Sequence, residues 1–158
     1  MPDLLTHVVV AWTLCTLLSF KWKQFNPQNT AIVMVGALIP DLYKVQLPLS
    51  YLNLNESIFI MPFHLPVGSL LLAGMVSLFF RDRKMIFLFL TLGVATHYLL
   101  DLLLVNLGGG MELLYPLSWE RFSFNVISPT DYHIPVVALF IAFMVYMFRY
   151  QIFRPDNK

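Results

Sequence analysis

From Met85 to Leu107 the chain runs 23 residues in which every polar side chain other than His97 and Asp101 is small or neutral. A run of that length and character fits a helix crossing the roughly 30 Å hydrocarbon core of a bilayer. His97 and Asp101 are four residues apart, so a helix sets them one turn apart on one face. Insertion scales put the cost of an ionisable group at mid-membrane at roughly 3 kcal/mol, so such groups are normally partnered and functional.

The rest of the chain agrees with a membrane setting. Of its 158 residues 58% are hydrophobic and 12% charged, against about 25% charged in a typical soluble domain. The net charge of +1 gives no field that would recruit nucleic acid, and none is expected as a partner. Cys15 is the only cysteine, which excludes an internal disulfide and a Cys-x-x-Cys metal knuckle. The start of the chain does not resemble a signal peptide: Lys21 and Lys23 follow the first apolar run instead of preceding it, so that run is expected to be retained.

Five apolar segments are expected, at about Leu4–Phe20, Thr30–Tyr43, Ile58–Phe80, Met85–Leu107 and Ile134–Phe153. The fold expected is an all-α, polytopic transmembrane helical bundle, one integral membrane domain over residues 1–158. The second segment is short and interrupted by Pro40, so a half-span and a helix packed within the bundle are both open. Pro66 either kinks the third helix or delays its start. Lys21, Lys23, Arg81, Arg83, Lys84 and Arg149 fall on alternate connections and the end of the chain. With five crossings, that asymmetry puts the N-terminus outside and the C-terminus in the cytoplasm. The long connection from Met111 to His133 carries Trp119, Phe122, Phe124 and Tyr132, and is expected to lie on the membrane interface.

On that map all four histidines and two aspartates fall towards the outer leaflet: His7, Asp41, His64, His97, Asp101 and His133. Neutral imidazole and carboxylate together suit Zn²⁺ or a related divalent ion, whose charge would offset the burial of the carboxylates. Each residue also has an ordinary explanation. His7 fits a donor to a carbonyl or water, Asp41 a turn or cap after Pro40, and His64 a donor to carbonyls freed by Pro62 and Pro66. His97 and Asp101 fit a private pair within one helix, and His133 with Asp131 a loop edge. Glu112, Glu120 and Arg121 fit headgroup-facing charges. Joint placement on one side, more than any single residue, points to a metal.

His7, the Gly36-Ala37-Leu38-Ile39-Pro40-Asp41 stretch, His64, Thr96-His97-Tyr98-Leu99-Leu100-Asp101 and Leu114-Tyr115-Pro116-Leu117-Ser118 resemble the membrane-bound metal-dependent hydrolases, small inner-membrane proteins known in bacteria as LexA-regulated. The order His, Asp, His, His-x-x-x-Asp is also similar to the zinc-dependent phospholipase C and single-strand nuclease group. The resemblance covers roughly the first three quarters of the chain and implies metal ligation by His7, Asp41, His64, His97 and Asp101. The soluble group has a further His/His/Glu set, where this chain offers only His133, Asp131 and Glu112, so one or two zinc ions are expected, not three. It implies hydrolysis of a phosphoester or ester in a lipid or lipid-linked substrate, with Asp41 and His64 in the chemistry and Asp41 a general base if it is not a ligand. Arg121 or Lys44 would recruit a phosphate headgroup. The competing expectations are a metal or proton transporter and a metal-stabilised membrane protein without activity. Membrane lipids are the expected partners.

Overall fold

The computed structural model describes residues 4–45, 64–103, 110–128 and 133–152. Among them are five α-helices and no named strand: α1 (Leu4–Ser19), α2 (Pro27–Leu38), α3 (Pro66–Ser77), α4 (Arg83–Leu103) and α5 (His133–Ile152). Local chemistry sets their limits. Asn26 caps α2, its side-chain oxygen accepting from Asn29 N–H at 2.9 Å, and Pro27 occupies the first helical position, where its missing N–H costs nothing. Leu65, held extended at φ −87°, ψ 145° by the proline that follows it, starts α3 at Pro66. Among the described residues the third expected segment is helical from Pro66, and its residues 58–63 lie outside the described set.

The second segment divides. α2 ends at Leu38 and the chain tightens into a 3₁₀ helix over Ile39–Val45. A 3₁₀ continuation pairs each carbonyl with the N–H three residues on; for Ala37 that residue is Pro40, which has none. The Ala37 carbonyl is thereby left for a partner from another helix.

α2 packs between α1 and α4, α1 also carries α5, and α3 lies against α4. The α2–α4 crossing is set by two glycines. A Cβ on Gly36 would meet the backbone of Leu90, 2.9 Å from its Cα, and one on Gly93 would fall 2.6 Å from Ala37 N. Backbone contact this close is a device of helix packing in lipid, where small residues let main chains approach. Two apolar clusters meet at the crossing: one joins Ile39, Ala73, Leu90, Val94, Tyr98 and Met111, and a second joins Ala11, Cys15, Val33, Ala37 and Phe89.

By length and composition α4 and α5 are apolar enough to cross a membrane, while α1, with 16 residues, and α3, with 12, are apolar but shorter. α5 is exposed along nearly its whole length, with Ala138 and Ala142 its buried residues. A helix that is apolar all round belongs in lipid or a protein core.

Candidate metal centre

His7 comes from the second turn of α1, Asp41 from the 3₁₀ helix, His64 from the residue pair preceding α3, and His97 and Asp101 from the last two turns of α4. The bundle brings all five together at one end. Asp101 is the hub: its Oδ2 lies 3.2 Å from His97 Nε2 and 3.9 Å from His64 Nε2, and its Oδ1 lies 3.5 Å from His7 Nε2. Asp41 Oδ1 is 4.0 Å from His97 Nε2. The His7 and His97 rings stack at 3.8 Å between centroids with 16° between planes. His7, His97, Asp41 and Asp101 are buried and His64 is partly open.

Two histidines are oriented by main-chain carbonyls. His97 Nδ1 lies 2.8 Å from Ala37 O, and His64 Nδ1 3.1 Å from Pro40 O. A carbonyl only accepts, so each Nδ1 must carry the proton, and in the neutral ring Nε2 is left with a lone pair. Both lone pairs face the carboxylates. A ring N–H fixed on a backbone carbonyl, with the other nitrogen presented inward, is how metal-ligating histidines are normally held. The His64 main chain is pinned in turn: Tyr98 O–H donates to His64 O at 3.1 Å, and Ser69 Oγ–H donates to the Tyr98 oxygen at 2.7 Å.

The separations fit ligands of a shared ion better than they fit hydrogen bonds. Two atoms each about 2.0–2.1 Å from a tetrahedral ion lie about 3.3 Å from one another, inside the 3.2–4.0 Å spread of the cluster. His7 Nδ1 and Nε2, His97 Nε2, Asp41 Oδ1 and Asp101 Oδ1 are buried without a hydrogen-bond partner, and each orphan of this kind costs about 1–3 kcal/mol. Asp41 Oδ2 is paired with Lys44 Nζ at 2.5 Å. Two carboxylates and one ammonium leave the cluster one negative charge in excess with the histidines neutral. A cation would balance this donor set. The residues form two overlapping groups that could hold one, His7, His97 and Asp101, and Asp41, His64 and His97.

A family model described as YdjM inner membrane protein matches residues 1–155. The chain belongs to this family. No curated protein and no solved structure matches it. Membership of the YdjM inner membrane proteins agrees with the lipid environment read from composition and from α4 and α5.

Several other residues singled out from the YdjM-family sequence stand elsewhere. Glu112 pairs with Arg121, whose Nη2 and Nε lie 3.0 and 3.1 Å from Glu112 Oε1, and neither group of candidate ligands includes Glu112. His133 opens α5 in an exposed position and also belongs to neither group; Asp131 lies outside the described residues. Lys44 sits at the edge of the cluster, bound to Asp41. What the sequence did not reveal is the supporting structure: the Ala37 and Pro40 carbonyls, the Tyr98–Ser69 pair and the Gly36–Gly93 crossing. Gly93 stands one helical turn before His97, a spacing that could have marked it.

Proposed function

We propose that this protein is a membrane-embedded, metal-dependent hydrolase that cleaves a phosphoester or ester bond of a lipid or lipid-linked substrate at the extracytoplasmic side. The observation that carries this reading is the convergence of inward-facing Nε2 lone pairs and two buried carboxylates at ligand spacing. His7, His97 and Asp101, with Asp41 and His64, would hold the ion, zinc being the best fit to a mixed imidazole and carboxylate set. When bound, such an ion supplies Lewis acidity and a water nucleophile at neutral pH.

The protein's own residues then have separate tasks. His64, partly open, forms the mouth of the site, and Lys44 beside it offers an ammonium to an anionic headgroup. Asp41 Oδ1, unpartnered, can take a proton at the mouth if it is not a ligand. Orientation supports an outer-leaflet substrate. The cluster lies at the end of the bundle opposite Lys21, Lys23, Arg81, Arg83, Lys84 and Arg149, and the edge contact of Phe20 with Phe148 at 6.0 Å places the far ends of α1 and α5 together. With the basic end cytoplasmic, five segments crossing up and down leave the N-terminus outside. A transport reading finds no carboxylate or imidazole relay among the described residues of the next turns, where Ala11, Cys15, Val33, Ala37 and Phe89 pack together with Thr13, Thr16 and Thr30 the buried polar side chains nearby.

Elemental analysis of purified protein beside the His97→Ala/Asp101→Ala variant tests the site. Metal in the former and its loss in the latter are expected, and equal contents would sink the metal reading. With metal established, hydrolysis of a chromogenic phosphodiester that stops on chelation and returns with zinc supports the enzyme. A loaded protein inert towards phosphodiester, phosphomonoester and carboxylester probes would leave a metal-stabilised membrane protein in its place.

A further inference from the structure

The segment from Gly110 to Ser128 does more than join α4 to α5. Met111 and Phe122 exchange two backbone hydrogen bonds, at 2.9 and 3.0 Å, and close it into a clamp. Gly110 makes the turn into the clamp at φ +107°, where a Cβ would also come within 2.7 Å of Phe122 O. Inside the clamp Met111 is buried in the cluster of Tyr98 and Ile39, with Leu113 packed against it. The other arm is tied to α4: Phe124 N–H donates to Leu102 O at 2.8 Å, and Val126 and Ile127 N–H both donate to Leu103 O at 2.9 Å. Those carbonyls belong to the last described turn of α4. The segment is therefore fixed within one turn of Asp101.

With these anchors taken, the remaining apolar side chains face outward. Leu117 is 93% exposed and Trp119 70%, and Leu114, Phe124 and Val126 are exposed beside them. Tyr115 braces Trp119 edge to face at 4.9 Å. Of the charges in the segment, Glu112 and Arg121 neutralise each other, and Glu120 stands exposed next to Trp119, a carboxylate for the aqueous side of a headgroup layer. Large apolar side chains left exposed along one short, anchored segment mark an interaction site, and their depth identifies the occupant. α4 has 21 residues, about 32 Å of helix, the thickness of one hydrocarbon core. Arg83 and Lys84 are at its start. A segment hydrogen-bonded to its last turn lies at the opposite membrane boundary, where tryptophan and tyrosine are favoured. We infer that residues 110–128 form a ledge seated in the phospholipid headgroup layer beside the metal centre, its partner being the lipid surface. The ledge would hold the mouth of the site at headgroup depth.

The variant Trp12→Phe/Trp22→Phe leaves Trp119 as the one tryptophan of the chain's three. It is reconstituted in phosphatidylethanolamine–phosphatidylglycerol vesicles containing phosphatidylcholine brominated near the carbonyl or near the methyl end of its acyl chain. Several-fold stronger quenching by the shallow bromines than by the deep ones, and weak quenching by aqueous iodide, is expected. Strong iodide quenching with none by either bromolipid would overturn the inference. So would protection from both together with a cross-linked dimer, which would give the surface to a second copy. If that variant does not fold, Cys15→Ala/Leu117→Cys carries an environment-sensitive dye to the same place, with the same two outcomes. The readout needs neither bound metal nor activity, so it stands or falls apart from the hydrolase reading.

Discussion

Lys44 and Asp41 illustrate how one residue sets the charge of the whole cluster. Their contact leaves a single uncompensated carboxylate when the imidazoles are counted as neutral. Lys44→Met removes the ammonium and doubles the excess, so the metal-free protein is expected to melt earlier while added zinc raises its melting temperature by more than in the unaltered protein. A melting series with and without chelator checks both. If Lys44 also holds an anionic headgroup, KM for the phosphodiester probe rises in the same variant. Tyr98 and Ser69 act one step further out. Tyr98→Phe and Ser69→Ala should each cost about 1 kcal/mol, as for an ordinary buried hydrogen bond. The double variant should lose less than their sum, because both break one chain ending on the His64 carbonyl.

At the scale of elements, the α2–α4 crossing is the joint on which the centre depends. Gly93→Ala would force a methyl into the backbone of Val33, Gly36 and Ala37, and since main chain cannot yield as a side chain can, loss of folded, metal-binding protein is expected. Gly74→Ala is the control: its Cβ would meet only Phe87 Cε2 at 3.8 Å. That substitution is expected to be neutral or stabilising by up to about 1 kcal/mol through helix propensity. Yield and melting temperature of the two variants, measured side by side, give the comparison. These elements also show what a sequence can disclose. His97 and Asp101 were legible as a pair because helical spacing is local, and α1, α4 and α5 because long apolar runs need no partner to be recognised. The crossing was not legible: a glycine in an apolar helix looks the same whether it faces lipid or another backbone. The ordering of His97 by a carbonyl of Ala37 was hidden for a similar reason, since every residue has a carbonyl and only the fold selects one. Glu112 and Arg121 looked like candidates for the centre, yet they satisfy each other across the clamp.

For the whole molecule, belonging to an inner-membrane family and having one basic end constrain how the bundle sits. A reporter active only outside the cytoplasm, inserted after Trp119, should be active, and the same reporter after Asp82 should be silent. The reverse pattern would turn the candidate metal centre towards the cytoplasm. Metal should also bind the folded bundle alone, because its donors come from α1, the 3₁₀ helix, the start of α3 and α4. Free zinc at 100 times its dissociation constant is then worth about 2.7 kcal/mol of stability. Chelation should lower the melting temperature of the unaltered protein and leave that of His97→Ala/Asp101→Ala unchanged.

The bond from His97 to the Ala37 carbonyl has a consequence for how this site can vary. The acceptor is main chain, so no replacement at position 37 deletes it, and the instruction that aims the imidazole is written instead at Gly36, Gly93 and Pro40. A catalogue of this centre drawn up from its ionisable side chains would omit those three. Two hydrogens on glycine and one missing from proline keep the histidine pointed inward.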